Sequence, residues 1–119
     1  MSGREINYTV VYKVDPKNLA AFKELVSKVG RLVSSNEPEN QGFSWYTSPD
    51  EQEWYVLEKY SSSEGVLQHL QNIAPLVESL LANGEITRFE VFGDVSPELE
   101  AALSSLNPQI FRSWSSTKA

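Results

Sequence analysis

The residue types most able to do chemistry in this sequence are a histidine, a carboxylate and a phenol in its middle third. His69 is the only histidine, and its ordinary pKa of about 6.5 suits a general base at neutral pH. Glu58 could supply the carboxylate that orients the imidazole, raises its pKa and fixes its tautomer. Tyr46 and Glu58 have the same parity on two strands of a predicted hairpin, so we expect them to share a face. The candidate catalytic cluster is therefore Tyr46–Glu58–His69.

Each member of this cluster also has a purely structural interpretation. His69 lies beside the apolar stripe of a predicted helix, where a partly buried histidine could simply satisfy one hydrogen bond. Glu58 could instead form a surface salt bridge with Lys59 or Arg88. Both interpretations stay open at the level of sequence.

A dense aromatic stretch surrounds Glu58. It contains Trp45, Trp54, Tyr55 and Tyr60. Aromatic side chains dominate both cores and interfaces, so packing is one interpretation. The other is an aromatic-lined pocket for a planar ligand.

The usual signatures of cofactors and charged partners are missing. The chain has no cysteine, and acidic loop residues such as Glu37 and Glu39 lack metal-ligand spacing. Neither GxGxxG nor GxxxxGK[ST] occurs. A net charge of −6 argues against nucleic acid and anionic membranes as partners. We therefore expect no cofactor and no metal, and, with no apolar signal segment in the first ten residues, a cytoplasmic location.

Hydrophobic periodicity and turn residues predict the elements that position the cluster. Strands are expected at 5–14, 42–48, 53–60 and 85–93, and helices at 16–34 and from Ser61 onward, with a break at Pro75. A short helix from Ser96-Pro97 to about 105 and a last extended segment at 109–114 follow, with a frayed tail. We expect one domain over residues 1–119, with a core at 5–93 and an extension at 94–119.

The order β-α-β-β-α-β predicts an α+β fold, the ferredoxin-like split βαβ sandwich with a four-stranded antiparallel sheet. Helices would cover one face of that sheet. The strands carry large apolar residues on both faces, unlike a sheet with one solvated face. We therefore expect a homodimer formed through the sheet faces, with the segment around Phe111 and Trp114 reaching the partner.

The stretch GFSWYTSPDEQEWYVLEKYSSSEGVLQHL resembles the antibiotic biosynthesis monooxygenase (ABM) domain family. The matching positions are Gly42, Tyr46, Glu58, Tyr60 and His69, and the resemblance covers roughly residues 5–93. It implies a dimeric α/β barrel, in which two four-stranded sheets pack face to face, and a small-molecule pocket. It selects no single reaction, because such proteins include cofactor-free oxygenases, haem-degrading enzymes, isomerases and proteins without known activity.

The resemblance also suggests which residues bind substrate. Asn, Trp and Tyr line the pocket of the cofactor-free oxygenases, and the candidates here are Asn7, Trp45 and Tyr60. Asn7 lies on the first strand, where the haem-degrading relatives place an asparagine. Haem-degrading relatives carry Trp at the position of Tyr60 and a haem-ligating His further along the next helix. Residues 74–82 contain no His, so haem degradation is disfavoured.

Two hypotheses follow. The first is a cofactor-independent monooxygenase acting on a small aromatic or polyketide-like molecule, with a cavity of about 300 Å³ or more lined by His69. The second is a non-catalytic small-molecule-binding or stress-related dimer, in which Trp45 and Tyr60 fill that space.

Overall fold

The computed structural model describes residues 4–115, which form a βαββαβ unit followed by a helix and a strand. The strands are β1 (Ile6–Lys13), β2 (Asn40–Thr47), β3 (Glu53–Tyr60), β4 (Glu85–Phe92) and β5 (Gln109–Phe111). The helices are α1 (Leu19–Asn36), α2 (Ser63–Asn83) and α3 (Pro97–Leu103). The tail that we expected to fray lies mostly beyond the described residues.

The strands form one sheet in the order β2-β3-β1-β4-β5. Strands β2, β3, β1 and β4 are each antiparallel to their neighbours and follow the ferredoxin-like order. This confirms the predicted fold class. β5 runs parallel to β4, with Val91 opposite Ile110. The sheet is therefore mixed and five-stranded, because the expected extension joins its edge.

Helices α1 and α2 pack on one face of the sheet and bury its apolar side chains. In β1 the even positions from Ile6 to Tyr12 are all buried, as the alternation predicts. α1 adds Phe22, Leu25 and Val29 at helical spacing. This helix-covered face contains the candidate site.

The start and middle of α2 differ from the sequence prediction. Ser62, not Ser61, caps the helix, and its side chain accepts a hydrogen bond from the Gly65 amide. Pro75 lies inside one continuous helix and does not divide it. Proline has no amide hydrogen, so the backbone carbonyl one turn earlier loses its helical hydrogen bond. Because Pro75 is exposed, water can hydrate that carbonyl instead.

The opposite, open face of the sheet carries large apolar side chains that no described element covers. Tyr46 is 57% exposed, and Leu57, Phe92 and Phe111 are 40–42% exposed. Phe92 and Phe111 stack on each other with ring centroids 5.3 Å apart. Separately, no helix among residues 4–115 is long and apolar enough to cross a membrane.

Candidate functional site

His69 lies one turn after Gly65 in α2, and its side chain is only 2% exposed. Its Nδ1 atom lies 2.8 and 3.0 Å from the two carboxylate oxygens of Glu37. Its Nε2 atom lies 3.4 Å from Oε1 of Glu58. The imidazole is therefore held between two buried carboxylates, one at each ring nitrogen.

Glu37 is the site residue that sequence reasoning missed. It lies in the polar segment between α1 and β2, yet its side chain is 1% exposed. Besides His69, it contacts Asn72, whose Nδ2 donates to Glu37 Oε2 at 2.8 Å and to the Leu32 carbonyl at 2.9 Å. Periodicity carries no information about a residue outside a helix or strand, and the polar sequence NEPENQ is typical of a solvated loop.

Glu58 projects from β3 toward the helices and is 6% exposed. The Tyr60 hydroxyl donates to its Oε1 at 2.7 Å, and Tyr8 is its partner in the register with β1. The surface salt bridge considered for Glu58 is therefore excluded. Lys59 instead pairs with Glu5 at 3.5 Å.

Tyr46 does not join this cluster, so its predicted placement is wrong. The β2–β3 register pairs Tyr46 with Tyr55, and Phe43 with Glu58. Residues paired across the two strands point to the same face of the sheet, and each pair joins an odd-numbered position to an even-numbered one. Tyr46 and Glu58 are both even-numbered, so they lie on opposite faces. Tyr46 lies on the open face of the sheet.

The three residues that the resemblance suggested for substrate binding are separated by the fold. Asn7 is exposed and lies on the open face, on the opposite side of β1 from Tyr8. Trp45 is on the helix-covered face and packs against Tyr12 and Phe22, with ring centroids 5.8 and 6.0 Å apart. Only Tyr60 adjoins the cluster, with its ring centroid 5.5 Å from that of His69.

The buried pair of His69 and Glu58 holds protons more tightly than the same groups do in water. Burial alone would lower the pKa of His69, but the hydrogen bond to Glu37 and the charges of Glu58 and Glu37 outweigh it, so the pKa is raised. Burial raises the pKa of the Glu58 carboxyl, despite the opposing effects of His69 and the nearby tyrosine hydroxyls. Burial and the charge of Glu58 likewise raise the pKa of Tyr8 and Tyr60, so both phenols remain hydrogen-bond donors.

A cavity between the sheet, α2 and α3 has His69, Glu58 and Tyr8 among its lining residues. The rest of its wall is apolar, with Leu103 and Leu106 contributed by the C-terminal extension. Its volume is about 70 Å³, well short of the 300 Å³ or so expected of a ligand pocket. Surface grooves of about 380 and 390 Å³ contain neither His69 nor Glu58 and do not form part of the site.

This arrangement can move a proton. With Nδ1–H donating to Glu37, the neutral imidazole presents Nε2 as an acceptor next to Glu58, a tautomer that we infer from the hydrogen bonds. A buried carboxyl with a raised pKa can give a proton back. The two carboxylates lie at opposite nitrogens of one ring, and among residues 4–115 no group of three or more His, Cys, Asp or Glu side chains is arranged to hold a metal ion.

Comparison with known proteins identifies the family to which this chain belongs. The family model of the antibiotic biosynthesis monooxygenases matches residues 7–74, which is more than half of the chain. The chain therefore belongs to the ABM family. No curated protein matches the sequence significantly.

Several solved structures share the fold. MupZ from Pseudomonas fluorescens is 24% identical, with a TM-score of 0.86 over 98% of this chain and 95% of its own. A candidate antibiotic biosynthesis monooxygenase from Caulobacter crescentus is 20% identical, with a TM-score of 0.69 over 79% and 92%. A mutant of SnoaB, a cofactor-independent oxygenase from Streptomyces nogalater, is 11% identical, with a TM-score of 0.65 over 78% and 95%. The alignment with MupZ thus takes in most of the C-terminal extension as well.

Proposed function

We propose that this protein is an enzyme of the cofactor-independent monooxygenase type, with His69 and Glu58 exchanging protons with a small aromatic or polyketide-like molecule. The observation that carries the proposal is the imidazole held between the buried carboxylates of Glu37 and Glu58. An isolated buried charge is costly, and raised pKa values of this kind concentrate at functional sites. The family and the oxygenase SnoaB supply the reaction type.

Each group has a defined task in this proposal. Nε2 of His69 removes a proton from the substrate, and the Glu37 carboxylate stabilises the imidazolium that forms. The deprotonated substrate supplies all four electrons that reduce O2: one oxygen atom becomes a new carbonyl oxygen on the substrate, which loses two hydrogens, and the other oxygen atom leaves with those hydrogens as water. The Tyr8 hydroxyl and the protonated form of Glu58, which both line the cavity, are the donors available to hold the developing anion.

The small cavity favours a second candidate, the non-catalytic binding protein. A volume of about 70 Å³ would hold roughly two water molecules at liquid density. A substrate of the proposed class can enter only if the wall moves, and Leu81, which is 42% exposed, and Leu106 of the extension are the lining residues best placed to shift.

Oxygen uptake separates the two candidates. The purified chain, tested against a panel of activated phenols and quinols with EDTA and without added flavin, is expected to consume O2 at a rate proportional to protein concentration. The products should contain one oxygen atom from labelled O2. If a compound of the panel binds and shifts the NMR signals of the His69 ring, but no oxygen is consumed and the compound is not changed chemically, the non-catalytic binding function is favoured.

We also propose that the chain forms a homodimer through the open face of the sheet. Tyr46, Leu57, Phe92 and Phe111 are large apolar side chains exposed on this face, as is typical of an interface, and the partner's equivalent face would cover them.

Replacing Leu57 with arginine is expected to dissociate this dimer, since the charge would be buried without a partner. Leu81→Arg is a matched control, because Leu81 has the same exposure of 42% on the helix-covered side. Sedimentation equilibrium should give a dimer for the wild type and Leu81→Arg and a monomer for Leu57→Arg. A wild-type monomer at micromolar concentration would refute the interface.

A further inference from the structure

The segment Glu37–Pro38–Glu39, which joins α1 to β2, sends its two carboxylates to different parts of α2. Glu37 contacts His69 and Asn72, as described above. Oε1 of Glu39 accepts hydrogen bonds from the hydroxyls of Ser61 and Ser62, each at 2.6 Å. The same short segment is therefore attached both at the start of α2 and at the site.

The attachment at the start of α2 also involves the backbone. The Ser61 amide donates to the Glu39 carbonyl at 3.1 Å. In the first turn of α2, a Cβ added at Gly65 would lie 2.8 Å from Cβ of Glu39, closer than side chains normally approach. The absence of a side chain at Gly65 is what lets the segment lie directly on the helix.

The charge of Glu39 suits this position. The Ser61 and Ser62 hydroxyls hold the pKa of the Glu39 carboxyl below its ordinary value, so the group is ionised at neutral pH. A carboxylate at a helix N-terminus is stabilised by the helix dipole. Only Pro38, whose φ angle is restricted, separates the two glutamates, so the chain between them has few free dihedral angles.

We propose that Glu39 is a positioning residue, which holds the Glu37 carboxylate against Nδ1 of His69 by fastening the intervening segment to the first turn of α2. The importance of this contact for catalysis rests on the proposed function, but the contact itself does not. Besides Glu37, the titratable groups near His69 are Glu58 and Tyr60 from β3 and Tyr8 from β1, and none of them contacts Glu39.

The test uses the NMR titration of His69 in the untagged protein, whose ring signals need no assignment because it is the only histidine. Glu39→Asp keeps the charge but withdraws it from the two hydroxyls, and Ser61→Ala removes one donor while leaving the Ser62 cap. Each is expected to lower the proton affinity of His69 by roughly threefold to tenfold. Ser63→Ala is the control, because its hydroxyl accepts from the Ser96 amide at 3.0 Å and not from Glu39; it should leave that affinity unchanged.

A double-mutant cycle shows whether Glu39 acts through Glu37. In a Glu37→Gln background, Glu39→Asp is expected to leave the His69 titration unchanged. Wild-type titration in both Glu39→Asp and Ser61→Ala would overturn the proposal, as would an equal effect of Glu39→Asp with and without Glu37. A wild-type chain without oxygenase activity would refute the proposed function and would not alter this result.

Discussion

Replacement of His69 by glutamine is expected to lower kcat/KM by roughly 10²- to 10⁴-fold, the usual contribution of general acid–base catalysis, while the chain stays folded. The glutamine amide can donate to Glu37 or Glu58, but it cannot take a proton from a substrate. The measurement is the initial rate of oxygen uptake with whichever panel substrate the wild type turns over. Circular dichroism and sedimentation would verify that fold and assembly persist.

Tyr46→Phe is the informative control for this variant. The same phenol that sequence reasoning placed beside Glu58 lies on the open face, so we expect its loss to leave the rate within about twofold of wild type, as for a surface substitution. Unchanged activity in His69→Gln would make the histidine structural and leave the binding-protein interpretation standing. A large loss in Tyr46→Phe would show that the open face takes part in the reaction.

The free energy of unfolding is expected to fall as the pH rises from mildly acidic to mildly alkaline values. The pKa of His69 is raised on folding. The stability that His69 contributes is therefore fully present below its unfolded-state pKa of about 6.5 and is lost as the pH rises through its folded-state pKa. The pKa of Glu58 is also raised; above about 4.5 the unfolded chain releases this proton while the native carboxyl retains it, which again reduces stability. For each group, every unit of difference between the folded-state and unfolded-state pKa changes the free energy of unfolding by about 1.4 kcal/mol across the full titration.

Urea unfolding at several pH values measures this dependence. Glu37→Gln should remove most of the decline above pH 6.5 or so, because burial, the largest influence on the pKa of His69, is then opposed only by the charge of Glu58. Glu24→Gln is the control. Glu24 forms an exposed pair with Lys28 at 3.5 Å, and its removal should leave the slope unchanged. A wild-type stability that is flat or rises over this range would contradict the description of the site.

Much of the fold follows from the sequence because burial repeats with the period of each element. The bounds of β3 match the prediction, and the helix-covered positions of β1 do so as well, since alternation directly reports which side chains meet the core. The continuity of α2 through Pro75 was not predictable in this way. It depends on whether the carbonyl freed by the proline is exposed or buried, which is a tertiary property.

The site was only partly predictable, for a related reason. Glu58 and His69 lie on regular elements, so their inward orientation could be anticipated. Tyr46 was predicted on the wrong face because the residues that share a face across a hairpin are known only once the turn fixes the register of the two strands. Glu37 was missed because its burial depends on contacts with Asn72 and His69, which are distant in sequence, and no local pattern distinguishes it from a solvated loop glutamate.

The most direct test of the imidazole held between Glu37 and Glu58 is the pH titration of the His69 ring nitrogens by NMR in the wild-type protein. We expect a pKa above the ordinary value of about 6.5, an Nδ1-protonated neutral tautomer, and a lower pKa in Glu37→Gln. A wild-type pKa at or below the ordinary value, with the proton on Nε2 in the neutral form, would show that Glu37 does not orient the imidazole.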